Sequence, residues 1–145
     1  MTPREIELVQ QSFEKVRPIA AAAADLFYGK LFELDPALKP MFKGGNMKEQ
    51  GRMLMNMIAS AVRGLSNAQA LIPVLTDLGR RHTTYGVMKH HYVTVGSALI
   101  WTLEQGMGKD FTAEVRDAWC AAYELMAGVM QHGVGVAEAP LAKAA

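Results

Sequence analysis

Three polar side chains, Tyr28, Gln50 and His82, intrude on stretches that otherwise repeat apolar residues at helical spacing. His82 closes a stripe of Leu71, Leu75 and Leu78, which form one face of a helix. A titratable ring at the end of such a face has three readings. It is a core histidine satisfied by a hydrogen bond, a surface ring at a fraying end, or a ligand to something held against the face. Imidazole is the commonest side-chain ligand for metals, so the third reading has a chemical basis. Tyr28 can bury its ring and send its hydroxyl to a backbone carbonyl. Gln50, near a helix start, can point at water. Each polar group costs free energy if buried without a partner.

The remaining candidates are weaker. His90 and His91 open a helix, where solvent-facing or capping roles fit, and His132 sits in the last turns. Met53, Met55 and Met57 alternate, which spreads them around a helix. They read as packing, or as padding for an apolar ligand, and not as metal ligands.

The elements that must position these groups all carry the helical period. Thr2, Pro3 and Glu5 form a helix start with a capping box. The first helix follows with Ile6, Val9, Phe13 and Val16 on one face, until Pro18 interrupts. A second helix runs from about residue 19 to 34 and is expected to bury Ala23, Phe27, Leu31 and Leu34. A proline-bounded short helix or turn spans "DPALKPMF", and Lys43 to Asn46 form a loop. The next helix faces inward with Gln50, Leu54, Met57 and Ala61, and another ends at His82. Two further helices carry Tyr92, Val95, Leu99 and Leu103, then Val115, Trp119, Ala122, Met126 and Val129. Thr112 is placed to cap the last one. No segment alternates over strand length, so the fold class is all-α, with six or seven helices. Residues 1–135 read as one domain and 136–145 as a short flexible tail.

Composition narrows the function classes. Half of the 145 residues are hydrophobic and a fifth are charged, which suits a folded core and not a disordered chain. The net charge is +1 and no basic run tracks phosphates, which argues against nucleic acid. No apolar run has membrane-spanning length, and no apolar signal core follows the charged N-terminus. Cys120 is the single cysteine, which cannot make an internal disulfide; a reducing cytoplasm is expected. Gly44-Gly45 and Gly133-Val-Gly135 lack the context of a phosphate loop, and no Cys/His spacing suits zinc.

The blocks "FYGKLFELDPALKPMF", "LIPVLTDLGRRHTTYGV", "HYVTVGSAL" and "AWCAAYELM" together resemble the globin family, in family order, from about Thr2 to Gly133. The likeness is to bacterial single-domain globins, to the haem domain of flavohaemoglobins and to neuroglobins. It implies a three-over-three helical sandwich around haem b. It also implies roles. His82 matches the proximal histidine, the metal ligand, with its other ring nitrogen bonded to a backbone carbonyl near Leu78. Phe42, Leu54, Leu78, Val87 and Tyr92 match haem-contacting positions. Tyr28, Gln50 and Leu54 match the distal side, where gas binds. Arg81, or Arg80 or Lys89, would meet the propionates. One departure concerns the proximal glutamate of flavohaemoglobins: Val134 aligns with it, and Glu138 is the nearest acid.

The resemblance implies reversible, high-affinity binding of oxygen, nitric oxide and carbon monoxide, for storage, transport or scavenging. A competing enzymatic reading is nitric oxide dioxygenase, which would borrow an external reductase, since no reductase domain fits in this length. A third is a gas-sensing or haem-free interaction module; the haem-free form would have no use for Tyr28, Gln50 and His82 together.

Overall fold

The computed structural model describes residues 1–42 and 45–144, with side chains as far as Gln131. Among the described residues there are six α-helices, three short 3-10 turns and no strand. Helix α1 (Pro3–Val16) starts where expected: the Thr2 hydroxyl accepts from the Glu5 amide at 3.1 Å, and the Glu5 carboxylate accepts from the Thr2 amide at 2.8 Å. Both bonds satisfy amides that a helix end leaves without partners. A 3-10 turn at Arg17–Ile19, holding Pro18, leads into α2 (Ala20–Leu34). A second 3-10 stretch, Pro36–Phe42, precedes α3 (Met47–Gly64), which Asn46 caps through its side-chain oxygen. Asn67 caps α4 (Ala68–Thr84) in the same way. Helix α5 (Lys89–Met107) follows, and Thr112 caps α6 (Ala113–Ala144) by accepting from Val115 at 3.2 Å.

The helices form two layers. One holds α1, α3 and α4, the other α2, α5 and α6; α1 and α4 lie on α6, while α3 lies on α2. This is the three-over-three sandwich that the resemblance implies. Its centre is Trp119, fully buried, whose indole N–H donates to Ser12 Oγ at 2.8 Å; Ser12 in turn donates to the Val9 carbonyl. That chain of bonds joins α6 to α1, and among the described residues no buried side-chain nitrogen or oxygen lacks a partner. Ala98, Ala118 and Ala122 have no exposed surface, so the helices meet closely around it. No helix among the described residues is long and apolar enough to cross a membrane.

Two expectations shift. Helix α4 does not stop at His82 but continues to Thr84, because the Tyr85 amide still finds the Arg81 and His82 carbonyls. Leu34, expected in the core, is 45% exposed: it is the last residue of α2, where the chain turns off at Asp35, and burial ends at Leu31. The alternating methionines do spread out, with Met53 exposed and Met55 and Met57 half-buried. The expected tail, together with Val134 and Glu138, lies outside the residues whose side chains are described.

Two glycines inside helices explain how closely the layers approach. A β-carbon on Gly79 would sit 1.8 Å from the Met130 carbonyl oxygen, a backbone atom of α6 that cannot swing away. A β-carbon on Gly51 would come within 2.9 Å of the Ala24 β-carbon on α2. Overpacking of this kind typically costs 1–3 kcal/mol, and more where backbone must move. We predict that Gly79→Ala destabilises the fold by about 3 kcal/mol in urea denaturation. Gly29→Ala, at a helical position with nothing within 4 Å, should instead stabilise it by roughly 0.5–1 kcal/mol. Equal effects from the two substitutions would rule out the contact as the cause.

Candidate functional site

Helix α4 presents His82 half-buried near its end, three residues beyond the Gly79 contact with α6. Its Nδ1 lies 2.8 Å from the Leu78 carbonyl oxygen, one turn back. A carbonyl only accepts, so Nδ1 carries the proton and Nε2 is left with a free lone pair. This is the orientation the sequence predicts. The bond holds the ring along the helix and fixes its orientation, as in histidines that ligate a metal. The chain then turns under the same ring. The Val87 amide donates to the His82 carbonyl at 3.0 Å, which brings half-buried Val87 back beside the helix end.

On the other wall, Gly51 resting on Ala24 sets the crossing of α3 over α2. Tyr28 lies one turn after Ala24, and Gln50 is next to Gly51. The crossing therefore brings the phenol and the amide near each other. Tyr28 is buried, and its ring meets Phe27, Phe32 and Phe42 at centroid distances of 5.1, 6.0 and 5.4 Å, two of them edge-to-face. Phe42 also packs on Phe32. The tyrosine is thus wrapped in aromatic rings with its hydroxyl toward Gln50. Burial raises its pKa above the ordinary value near 10, while the Gln50 bond opposes that rise. At neutral pH it stays a donor.

The two walls are arms of one hairpin. Gln50 and His82 each lie sixteen residues from Ser66, in the turn between α3 and α4. In an antiparallel pair they would face each other roughly 20 Å from the hinge. The arms do not close: α4 spends its contacts on α6 and α3 on α2, and the two touch each other sparingly. Leu54 and Met57 on α3 and Leu78 on α4 are apolar and only half-buried. Apolar surface left half-covered between rigid walls, with an imidazole lone pair on one side, suits a flat apolar group carrying a metal. The residues present therefore fit a haem.

Two assignments stand apart from this grouping. Arg81 is exposed, and its Nε lies 3.3 Å from the Asp77 carboxylate, which Arg80 also meets at 3.0 Å. Tyr92 is half-buried at the start of α5; the Tyr123 hydroxyl donates to its carbonyl, and burial raises its pKa. Tyr123 fits there because Gly96 has no side chain; a β-carbon would come within 2.7 Å of the ring. Two surface clefts, of about 390 and 400 Å³, lie between α5 and α6 and beside α1, and no expected site residue lines either. Sequence reading overlooked Phe32, Gly51 and Gly79. The signal for the glycines was present: an isolated glycine inside a helical pattern costs about 1 kcal/mol against alanine and usually has a packing reason.

The geometry is matched by likeness to known proteins. The family model described as Globin matches residues 25–130. The chain is 27% identical to neuroglobin-1 of Oncorhynchus mykiss, over 92% of each chain. It is 28% identical to a flavohemoprotein of Vibrio cholerae over 89% of its own length, and spans 33% of that longer relative. A solved bacterial globin from Campylobacter jejuni shares the fold, with a TM-score of 0.78 and 22% identity over 98% of this chain and 99% of that one.

The tyrosines give a pH test. Burial raises the pKa of Tyr28, Tyr92 and Tyr123, the last strongly and with Tyr92 adding to the effect. A raised folded-state pKa means that the fold holds the proton more tightly than the unfolded chain. The contribution is intact below about pH 10 and is lost as pH climbs through the raised values. Denaturation midpoints should fall most steeply above about pH 10. Tyr123→Phe, with one buried phenol fewer, should flatten that limb; an unchanged slope would mean that the phenol titrates alike folded and unfolded.

Proposed function

The chain belongs to the globin family, and from that premise we propose that this haem globin binds oxygen and other diatomic gases reversibly and with high affinity, on a haem b held by His82. The observation that carries this reading is the 2.8 Å bond from His82 Nδ1 to the Leu78 carbonyl, which leaves Nε2 free to bind a metal. Haem supplies an iron that takes up a diatomic gas and passes partial negative charge to it.

The chain's own residues do the rest. Leu54, Leu78, Val87 and Phe42 would cover a bound haem and keep water out, which would strengthen every electrostatic interaction inside. Tyr28 and Gln50 supply a hydroxyl and an amide N–H as donors on the gas side. Hydrogen bonds to charged acceptors are worth about 1.5–3 kcal/mol each, which would slow gas release by roughly tenfold to a hundredfold per donor. The raised Tyr28 pKa supports this role, because the phenol keeps its proton throughout the neutral range. Gln50 is a poor iron ligand beside histidine, so the sixth position is read as open. Arg81 would reach the propionates by leaving Asp77, an exposed pair of small energetic weight. The single free cysteine suits a cytoplasmic setting.

Kinship to a flavohemoprotein favours one second reading, nitric oxide dioxygenase. Nitric oxide, oxygen and one electron give nitrate, so each turnover draws one electron from outside. This chain spans a third of that relative, and the electron has to come from outside the globin domain that it matches. Nitrate yield separates the readings: many equivalents per chain with a reductase favour the enzyme, one equivalent favours storage or transport.

An absorption spectrum tests the cofactor. Purified protein should show a Soret band that shifts on reduction and again with carbon monoxide. His82→Ala should lose most of the band. A bis-histidine spectrum in the ferrous state would defeat the open-site reading. Tyr28→Phe should speed oxygen release by about tenfold or more in stopped flow; an unchanged rate would place the hydroxyl out of reach of the gas.

A further inference from the structure

We propose that Asp35, His90 and His91 form a second metal site, for a divalent transition ion of the zinc type, separate from His82. Asp35 ends α2, and the two histidines open α5. The packing of α2 on α5 brings them together across more than fifty residues of chain. One ligand atom from each lies within 4.8 Å of the others. A tetrahedral zinc with ligand bonds near 2.1 Å needs its ligand atoms about 3.4 Å apart. The three are therefore within side-chain adjustment of closing on an ion.

The local bonds prepare the set. Asp35 accepts from the Ala37 amide at 3.1 Å through Oδ1, which steadies the carboxylate and leaves its other oxygen for a ligand bond. The His90 and His91 rings lie side by side, with centroids 4.2 Å apart. His91 carries the further consequence. Its Nδ1 accepts from the Met88 amide at 2.9 Å and so caps α5, which puts the ring proton on Nε2. To ligate through Nε2, the ring must move that proton to Nδ1, where it meets the amide donor; to ligate through Nδ1, it must give up the amide. Either way, binding releases the cap at the start of α5. His90 takes no part in that cap.

The donor chemistry selects the ion. Two nitrogens and one oxygen suit zinc, nickel or copper; calcium and magnesium prefer all-oxygen sets. The amide end of α5 disfavours positive charge, which further weakens hard cations held mainly by electrostatics. Three protein ligands leave the fourth position to water. The bound ion would tie the end of α2 to the segment between Val87 and Tyr92.

Isothermal titration of zinc chloride into the haem-loaded full chain tests the site. One zinc should bind per chain. His90→Ala, which removes a ligand and leaves the cap, should weaken binding by roughly 10–100-fold, with unchanged helix content by circular dichroism. Asp35→Asn should weaken it too. His91→Gln, which keeps an acceptor for the Met88 amide, should do the same without unfolding α5. Absence of zinc binding, or binding as tight in a chain combining Asp35→Asn, His90→Ala and His91→Gln as in the parent chain, would overturn the proposal.

Discussion

The backbone contact between Gly79 of α4 and the Met130 carbonyl of α6 is the constraint on which the site depends. It pins α4 to the opposite layer, and His82 lies three residues further along the same rigid rod. Because α4 is committed to α6, it is not available to close on α3. The Gly51 contact with Ala24 does the equivalent for the facing wall by committing α3 to α2. Protein interiors pack to crystal-like density, so an open wedge between two neighbouring helices persists only if each is held more strongly elsewhere. Here each is, and at both points the holding residue is a glycine that admits another backbone or methyl group at close range.

The opening is chemically asymmetric. One side offers a nitrogen lone pair, because the ring proton is held by the Leu78 carbonyl. The other offers donors, because burial keeps the Tyr28 phenol protonated and Gln50 lies beside it. On the proposed reading, the electron-pair donor on α4 and the hydrogen donors on the other wall suit a group that binds a base on one face and accumulates negative charge on the other. The aromatic box of Phe27, Phe32 and Phe42 gives Tyr28 few alternative positions, so its hydroxyl is oriented before any ligand arrives. Preorganised donors of this kind need no rearrangement when charge develops.

What could be read from the residues in order is what depends on neighbours three and four apart. The helical class, the Thr2–Glu5 cap, the Thr112 cap and the inward face ending at His82 all follow from local spacing. The His82 bond to Leu78 belongs with them, since residue four back on a helix is always within reach. Leu34 shows the limit of that reasoning, because period alone does not say where the packing partner ends. Local spacing carries no sign that Tyr28 lies near Gln50 or that α3 and α4 stay apart, which only the family resemblance implies, and none that Asp35 meets His90 and His91. Each depends on how near two distant backbones come. That distance is set by missing side chains at Gly51 and Gly79, and by which helix each wall chooses as its partner. Periodicity fixes which side of a helix faces inward, but only the assembled layers decide what it faces and across what gap.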